Sequence, residues 1–244
     1  MSVKASQSAL RMLKVFERLA RMQPVGLTGL ARALDTDKSA LQRDLATLAE
    51  AGWIQPSRGD ARAWELSHQL LVLARKPHSS QVLGEQLRPL LERLHQLTGE
   101  TVYVTVPHHD RFVVIQAIES PHLLRVVPPV GLIVPARGSA TGKAFLALLD
   151  DSEREHLFAG KLPPEISDEL DQVHAQGYAV SDGELVPGST SFAAAFTGQS
   201  GSPAGTLVVT GSTDRIKRAQ WPVIGKHLVN AATLASRTLM ADAA

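Results

Sequence analysis

A glycine-rich run from Gly138 to Lys143 is the stretch of this sequence that comes nearest to a catalytic motif. In the phosphate-binding loop of nucleotide hydrolases, backbone amides between two glycines hold phosphates, and a Ser or Thr after the lysine holds magnesium. Here the two glycines stand one residue too close together for that loop, and Ala144 occupies the hydroxyl position. The spacing therefore excludes a nucleotide-binding loop of this kind.

Histidines and serines could form two other kinds of catalytic site, and neither pattern is complete. His108, His109 and Asp110 could ligate a metal, but adjacent histidines on a predicted hairpin turn are more typical of a solvated turn. No Gly-x-Ser-x-Gly motif is present, so the serines and the nine histidines form no recognisable hydrolase triad. The chain has no cysteine, which excludes disulfides and cysteine nucleophiles. We predict no catalytic residue, no metal and no cofactor.

Basic residues concentrate in the first third of the chain. Residues 1–76 contain 12 Lys and Arg against 7 Asp and Glu, and the remainder contains 13 against 17, while the formal net charge of the whole chain is +1. A basic segment joined to an acidic remainder favours two separate tasks, one of them next to phosphates. A basic face that is merely solvated is the alternative explanation of the same charge.

Length and composition indicate a globular protein. The 244 residues are 44% hydrophobic and 20% charged, and they fit one large or two modest domains. The N-terminal stretch is basic and helix-patterned, and no stretch approaches the roughly 18 apolar residues of a membrane span. These features predict a cytoplasmic protein without a membrane partner.

The basic third has the apolar pattern of three helices. Helical spacing extends from Ser8 to Met22, stops at Pro24, and resumes in a short segment from Leu30 to Leu34. A third helix is predicted from Lys38 to Glu50, with Gly52 at the position where a helix end favours a left-handed residue. Three helices with a tight turn between the last two form a helix-turn-helix.

Polar and basic side chains lie on the third helix opposite its leucines and in its first two turns, the turns that enter a major groove. After this helix, residues 53–55 and 63–66 predict two short strands around a turn, and arginines flank the tip of that turn. In a winged helix such a tip lies beside the sugar-phosphate backbone, where arginine binds phosphate or enters a narrow minor groove. The predicted DNA-binding residues are Lys38, Ser39, Gln42, Arg43, Arg58 and Arg62.

This third of the chain resembles the N-terminal domain of IclR-type bacterial transcriptional regulators, through the runs SALRMLKVFERLA and LTGLARALDTDKSALQRDLATLAEAGWIQ and through Trp64-Glu65-Leu66 at the end of the wing. Ala40 replaces the usual threonine, and Gln42 and Asp44 replace residues that are usually aromatic or aliphatic. The resemblance implies a winged helix-turn-helix that binds a double-stranded DNA operator. The departures leave the operator sequence open.

The remainder alternates helical and strand patterns without βαβ order, which predicts an α+β fold with a mixed or antiparallel sheet. A connecting helix is predicted within residues 67–76, ahead of Pro77, and an amphipathic helix within 81–98. Strand patterns occupy residues 101–106, 112–117, 123–128, 191–196 and 206–210, and helical patterns occupy 140–149, 152–157, 166–177 and 221–240.

These segments resemble the GAF-like effector domain of the same family, in which a small metabolite binds in a cup beside the sheet. The motifs stand in family order: Gly99-Glu100-Thr101-Val102, Glu119-Ser120, Ala140-Thr141-Gly142-Lys143-Ala144, Asp182-Gly183-Glu184-Leu185 and Pro187-Gly188. The effector-binding residues that the resemblance implies are Val126, Val134, Ala140, Thr141, Ser181, Asp182, Ser189, Thr190, Ser191 and Thr210.

The effector is expected between the helix that begins near Ala140 and the hydroxyl-rich strand entrance at residues 189–191. Backbone amides and the positive end of a helix dipole favour an anionic or polar end near Ala140. The apolar body is expected against Val126, Val134 and Phe192. A plain helix cap is the alternative role of the Ala140 segment.

The resemblance implies a DNA-binding transcriptional regulator, most often a repressor in this family, that is controlled by a small organic acid or aromatic metabolite. Its predicted parts are a winged helix-turn-helix domain at residues 1–66, a linker helix at 67–79 and an effector-binding and oligomerisation domain at 80–244. A homodimer is expected because one recognition helix reads only a half-site, and the resemblance implies that a tetramer is the other common state. The alternative is a metabolite-binding or enzymatic protein whose basic helical domain serves assembly.

Overall fold

The computed structural model describes residues 4–74, 79–158 and 164–241. The chain divides into two units, Met1–Pro77 and His78–Ala244. The division falls inside the predicted linker segment 67–79. Residues 75–78, which include the end of the predicted connecting helix, lie outside the described part of the chain.

The N-terminal unit folds around leucines from its first three helices. Leu19, Leu30 and Leu41, one from each helix, are fully buried in a shared core. The three strands that follow or interrupt these helices pair antiparallel in the order β1-β3-β2, which confirms the predicted winged helix-turn-helix. The elements are α1 Gln7–Met22, β1 Val25–Gly26, α2 Leu27–Leu34, α3 Lys38–Glu50, β2 Ile54–Pro56, β3 Ala63–Leu66 and α4 Gln69–Ala74.

The C-terminal unit contains a six-stranded sheet in the order β6-β5-β4-β9-β8-β7, and every neighbouring pair is antiparallel. The α+β prediction is confirmed, and the sheet is antiparallel rather than mixed. The elements are α5 Ser79–Thr98, β4 Thr101–His108, β5 Arg111–Ile118, β6 Ile133–Pro135, α6 Ala140–Leu146, α7 Asp151–Phe158, α8 Pro164–Gln176, β7 Ala179–Asp182, β8 Ser189–Thr197, β9 Pro203–Ser212, a short 3-10 turn Arg218–Gln220 and α9 Trp221–Ala241.

Both faces of this sheet are buried. Neighbouring residues of one strand belong to different cores, because successive side chains point to opposite faces. Val209 and Phe192 belong to a core formed with α5 and α9, which includes Leu228. Val208, next to Val209 in the same strand, belongs instead to a second core with Phe145 of α6. The second face carries the candidate effector site.

The run of residues 123–128, predicted as a strand, is a loop without strand structure. Leu123 is 94% exposed, so its apolar character reflects no sheet position. The loop is held instead by its backbone oxygens: the Thr101 hydroxyl donates to the Val126 carbonyl at 2.8 Å, and Arg215 Nη1 donates to the Leu124 carbonyl at 2.8 Å. These bonds place Val126 beside the sheet without adding a strand to it.

Candidate nucleic-acid interface and effector cavity

Helix α3, the predicted recognition helix, begins at a carboxylate cap. Asp37 accepts hydrogen bonds from the backbone N–H groups of Ser39 at 2.9 Å and Ala40 at 3.1 Å, and from the Ser39 hydroxyl. These bonds hold the pKa of Asp37 below its usual value, and the Ser39 hydroxyl contributes most. The charge on Asp37 therefore stabilises the turn that carries the predicted DNA contacts.

The predicted DNA-contacting residues of α3 lie on one exposed side. Lys38, Ser39, Gln42 and Arg43 are exposed. The leucines of the same helix are buried in the core of the unit. The structure thus brings the four side chains together in the first two turns, where ammonium, amide and guanidinium groups can bind phosphates and base edges.

Asp44, which departs from the family pattern, points into the unit rather than toward solvent. It is buried and accepts two hydrogen bonds from Arg11 of α1, at 2.9 Å and 3.0 Å. This bidentate pair raises the pKa of the Arg11 guanidinium, chiefly through the hydrogen bonds themselves. Asp44 therefore fastens α3 to α1 and does not bring negative charge to the exposed side of the recognition helix.

The wing places its two arginines at an exposed tip between β2 and β3. Arg58 and Arg62 are both exposed. The turn between them is fixed by Ala63 N donating to the Asp60 carbonyl at 2.9 Å and by Arg62 N donating to the Asp60 carboxylate at 2.8 Å. A backbone fixed in this way presents the two guanidinium groups for contact with phosphate or a minor groove.

A cavity of about 120 Å³ lies against the second face of the C-terminal sheet, and a smaller hollow of about 20 Å³ adjoins it. One wall is apolar and the sheet side carries hydroxyl groups. The larger space is lined by Tyr103, Val126, Val127, Pro128, Leu132, Val134, Ser181, Leu185, Val186, Ser189, Ser191 and Thr210. The smaller hollow shares several of these residues and reaches Ser139, Ala140 and Thr141.

The hydroxyl groups of the cavity lie on three neighbouring strands, and those of β8 and β9 are hydrogen-bonded to one another. Ser191 and Thr210, which face each other on β8 and β9, share a hydrogen bond of 2.8 Å, and Ser189 and Thr210 share one of 3.2 Å. On β7, Ser181 donates to the Gly138 carbonyl at 3.1 Å. Because hydroxyls both donate and accept, this set can reorient around a bound polar group.

Tyr103 lines the same cavity and hydrogen-bonds to Thr141 of helix α6. Burial raises the pKa of its phenol above the usual value, and a hydrogen bond with the Thr141 side chain opposes that shift. The Tyr103 phenol is therefore uncharged in the folded protein at ordinary pH. Its hydroxyl can donate to a ligand in the space that it lines together with Thr141.

Helix α6 approaches the cavity with its N-terminus. Ser139 caps it by accepting from Gly142 N at 3.0 Å and donating to the Pro135 carbonyl at 2.6 Å. The amides of Ala140 and Thr141 precede the first intrahelical bond, which runs from Lys143 N to the Ser139 carbonyl. Polar backbone donors and side-chain hydroxyls therefore meet at one end of the cavity.

Two family models match this chain. The IclR helix-turn-helix domain matches residues 8–58, and the bacterial transcriptional regulator IclR C-terminal domain matches residues 78–237. The chain belongs to the IclR family of bacterial transcriptional regulators. Its N-terminal unit is thus the family's DNA-binding domain and its C-terminal unit the family's regulatory domain.

Individual IclR proteins resemble the chain along most of its length. The transcriptional regulator BhcR of Paracoccus denitrificans is 28% identical over 91% of this chain and 83% of its own, and the transcriptional repressor IclR of Escherichia coli is 27% identical over 93% and 87%. The crystal structure of an IclR regulator from Alicyclobacillus acidocaldarius has a TM-score of 0.79, 25% identity, and coverage of 96% of this chain and 99% of its own. An IclR homologue from Microbacterium hydrocarbonoxydans, crystallised with 4-hydroxybenzoate, has a TM-score of 0.78 at 17% identity and covers 96% and 100%.

Three residues that were predicted to contact the effector of this IclR protein lie away from the cavity. Asp182 and Thr190 bond to each other at 2.9 Å on the opposite face of the sheet, and Phe192 packs there against Trp221. The alternation of strand side chains explains this, because Ser181 and Ser191 are their neighbours and face the cavity. The other implied residues line the cavity or its adjoining hollow.

Sequence reasoning missed Tyr103, Leu132 and the loop residues Leu185 and Val186, all of which line the cavity. Tyr103 stands in a strand of otherwise small or aliphatic residues, so a large polar side chain there was a usable signal. The loop residues gave no such signal, because an apolar pair between turn glycines is also typical of a packed loop.

The described part of the chain contains neither a cluster of metal-ligating side chains nor a helix of membrane length. No group of three or more His, Asp or Glu residues there could hold a metal ion. His108 and His109 are exposed at the turn between β4 and β5. Among residues 4–74, 79–158 and 164–241, no helix is both long and apolar enough to cross a bilayer.

Proposed function

We propose that this IclR protein represses transcription by binding a specific DNA operator through α3 and the wing, and that a small molecule in the C-terminal cavity changes its affinity for that operator. The observation that carries the proposal is the exposure of all six predicted DNA contacts on a fixed cap, helix and wing. Such a regulator acts on the chromosome, so we place it in the cytoplasm and assign it no catalytic residue.

The exposed groups of the DNA-binding unit divide by chemistry into two roles. Arg43 and Gln42 carry the planar donors that pair with base edges, Arg with guanine and Gln with adenine. Arg58 and Arg62 at the wing tip contact the backbone or a narrow minor groove, which sets register and affinity more than sequence. Two such units must act together, since one recognition helix reads a half-site, so we propose a homodimer or a tetramer.

The cavity favours a small effector with one polar end. Ligand pockets for drug-sized molecules measure roughly 300 to 1,000 Å³, and the combined space here is well below that range. The polar end fits the hydroxyls of Tyr103 and Ser191 and the amides of Ala140 and Thr141, and the apolar body fits the valine wall. A small organic acid suits this arrangement best. The relative crystallised with 4-hydroxybenzoate supports a compact aromatic acid as a second class.

A salt titration distinguishes a DNA-binding protein from the alternative, an enzyme or metabolite-binding protein with a helical assembly domain. Binding of a fluorescent random duplex is measured by anisotropy from low to high salt. Neutralisation of several phosphates predicts a logarithmic affinity that falls steeply with the logarithm of salt concentration, with a slope of about −0.9 per phosphate. A flat dependence, or no binding at low salt, would favour the assembly domain.

A thermal-shift screen identifies the effector class. Small carboxylic acids, compact aromatic acids and their uncharged amides are added one at a time, because a molecule that binds the native state raises the melting temperature. The proposal predicts that a carboxylate stabilises the protein and that its amide does not. Stabilisation by the amide alone would contradict an anionic effector.

A further inference from the structure

The outer wall of the cavity is a short loop, residues 183–188, which connects β7 to β8. Leu185 and Val186 of this loop line the cavity and are 44% and 50% exposed. Gly183 and Gly188 bound the loop with φ of 80° and 79°, a backbone region that glycine adopts without strain. Backbone hydrogen bonds from Gly183 N to the Ser189 carbonyl at 2.9 Å and from Ser189 N to the Val186 carbonyl at 3.0 Å close the base of the loop, and its one charged side chain is Glu184.

That carboxylate is bound by a lysine from the helix beneath the cavity. Lys143 of α6 has a side chain only 9% exposed, and its ammonium lies 2.7 Å from both oxygens of Glu184. The same ammonium lies 2.6 Å from Glu169 of α8 and donates to the Val180 carbonyl at 3.3 Å. Lys143 therefore joins α6, α8, β7 and the loop at one point.

We propose that Lys143 is a positioning residue that latches the loop 183–188 closed over the cavity through Glu184, so that release of this one ion pair opens the cavity. The inference rests on the proposed function only in taking the cavity as the effector site. The latch is a property of the loop and can be measured without DNA or effector.

The second carboxylate makes release of the loop feasible. A nearly buried ammonium left without a partner is strongly unfavourable, so a latch built on one pair would hardly open. Here Glu169 stays beside Lys143 when Glu184 leaves, because Glu169 is part of the regular helix α8 and Glu184 lies between two glycines. The ammonium is thus paired in both states, and the contribution of the ion pairs to the free-energy difference between them is the loss of one partly exposed contact.

The two carboxylates provide a matched pair of variants for the test. Glu184 and Glu169 contact the same ammonium at nearly the same distance, and their side chains are 43% and 41% exposed. Glu184→Ala removes the loop's attachment, while Glu169→Ala removes the same charge from the same cluster and leaves the loop attached. A role confined to stability predicts similar effects for both variants.

The chain contains no cysteine, so one introduced thiol reports on access to the cavity. Ser181 lines the cavity and is 4% exposed, which makes Ser181→Cys a protected reporter. Its rate of modification by N-ethylmaleimide is followed by mass spectrometry in the full chain, with thermal melting as the folding control. In this background Glu184→Ala should speed modification about tenfold, the change in local opening expected from one charge-assisted contact. Glu169→Ala should stay within about twofold of the reporter alone.

Lys143→Met tests the same latch from the other side. It should speed modification at least as much as Glu184→Ala. The double variant Lys143→Met with Glu184→Ala should be modified at the rate of the faster single variant, because both substitutions break the same contact. Equal rates for Glu184→Ala and Glu169→Ala, whether slow or fast, would overturn the latch. If Lys143→Met does not fold, the two glutamate variants still decide the matter.

Discussion

Asp37 is the N-cap of the recognition helix and stabilises its first turn. Hydrogen bonds from Ser39 and Ala40 lower its pKa in the folded state from the unperturbed value of 3.8. A group with a depressed folded pKa stabilises the native state above its unfolded pKa, and this stabilisation disappears as pH falls through the folded value. The charge therefore contributes at neutral pH and is lost below about pH 4.

Asp37→Asn tests this pH dependence, because asparagine keeps the capping oxygen and removes the charge. The wild type should unfold at higher urea than the variant at pH 7, and the difference should shrink steadily below about pH 4. Urea titrations from pH 7 to pH 3 measure it. A difference that is the same at both ends of this range would rule out the charged cap.

Arg43 is the residue on which operator selection should depend. Arg43→Ala is expected to reduce discrimination between operator and random duplex by roughly 1 to 3 kcal/mol, the value of one bidentate base contact. Melting temperature should not change, since the side chain is exposed. Gel-shift competition measures the loss, and Arg88→Ala in α5 removes an equal charge outside the DNA-binding unit as a control. Unchanged selectivity in Arg43→Ala would remove this residue from base recognition.

Residue types predicted which segments meet at the cavity. They predicted less well to which face of the sheet each side chain points. The run of hydroxyls at residues 189–191 lies at the strand end that lines the cavity, yet Thr190 bonds to Asp182 on the other face. Period-two alternation would have separated Ser189 and Ser191 from Thr190. The partner of Asp44 could not be predicted in this way, because Arg11 lies 33 residues away and only the packing of α1 on α3 joins them.

At the scale of elements, the position of α6 depends on the absence of a side chain at Gly142. A Cβ there would overlap the backbone of Ala136, so the glycine allows the helix to pack against that segment. The run that resembled a phosphate loop is thus a capped helix start with a close backbone contact.

Gly142→Ala should displace α6 and destabilise the protein by about 3 kcal/mol or more, since the overlapped atoms are backbone and cannot move aside. Gly59→Ala in the wing meets no atom within 4 Å and should change stability little. Urea unfolding of both variants compares the two sites. Equal stability of Gly142→Ala and the wild type would contradict this packing of α6.

The wing should act on all DNA sequences alike. Arg58→Ala combined with Arg62→Ala is expected to weaken binding to operator and random duplex by the same factor and to flatten the salt slope by up to about two units. Anisotropy titrations at several salt concentrations measure both quantities. Loss of selectivity with an unchanged slope would assign the wing to base recognition instead.

Elements of eight or more residues were predictable, and the shorter ones only in part: β2, β3, α4 and α6 were predicted, whereas β1, β6 and β7 were not. The pattern at residues 38–50 reproduces α3 because its leucines recur over three turns. Strands β1, β6 and β7 are two to four residues long and exist through pairing with β3, β5 and β8. Residues 123–128 have strand-like composition, but the side-chain bonds from Thr101 and Arg215 keep them as a loop.

For the whole molecule, regulation requires that occupancy of the cavity changes the affinity of the DNA-binding unit. A coupling free energy of about 1 to 3 kcal/mol is enough to change operator affinity by roughly 5- to 150-fold. In a dimer this coupling can act through the spacing of two recognition helices, because both half-sites must be occupied together. A substitution that blocks the cavity of the C-terminal unit should therefore abolish regulation and leave DNA binding by the N-terminal unit intact.

Operator affinity with and without the effector, in the wild type and in Ser191→Leu, tests this claim most directly. The duplex is selected from a random library with the wild type, and the effector is the acid that raises its melting temperature most. The wild type should change its operator affinity at least about fivefold on adding the acid. Ser191→Leu, which fills the cavity, should bind the operator as the wild type does without the acid and show no change with it. An acid that stabilises the wild type but not Ser191→Leu, and yet leaves operator affinity of the wild type unchanged, would contradict the account.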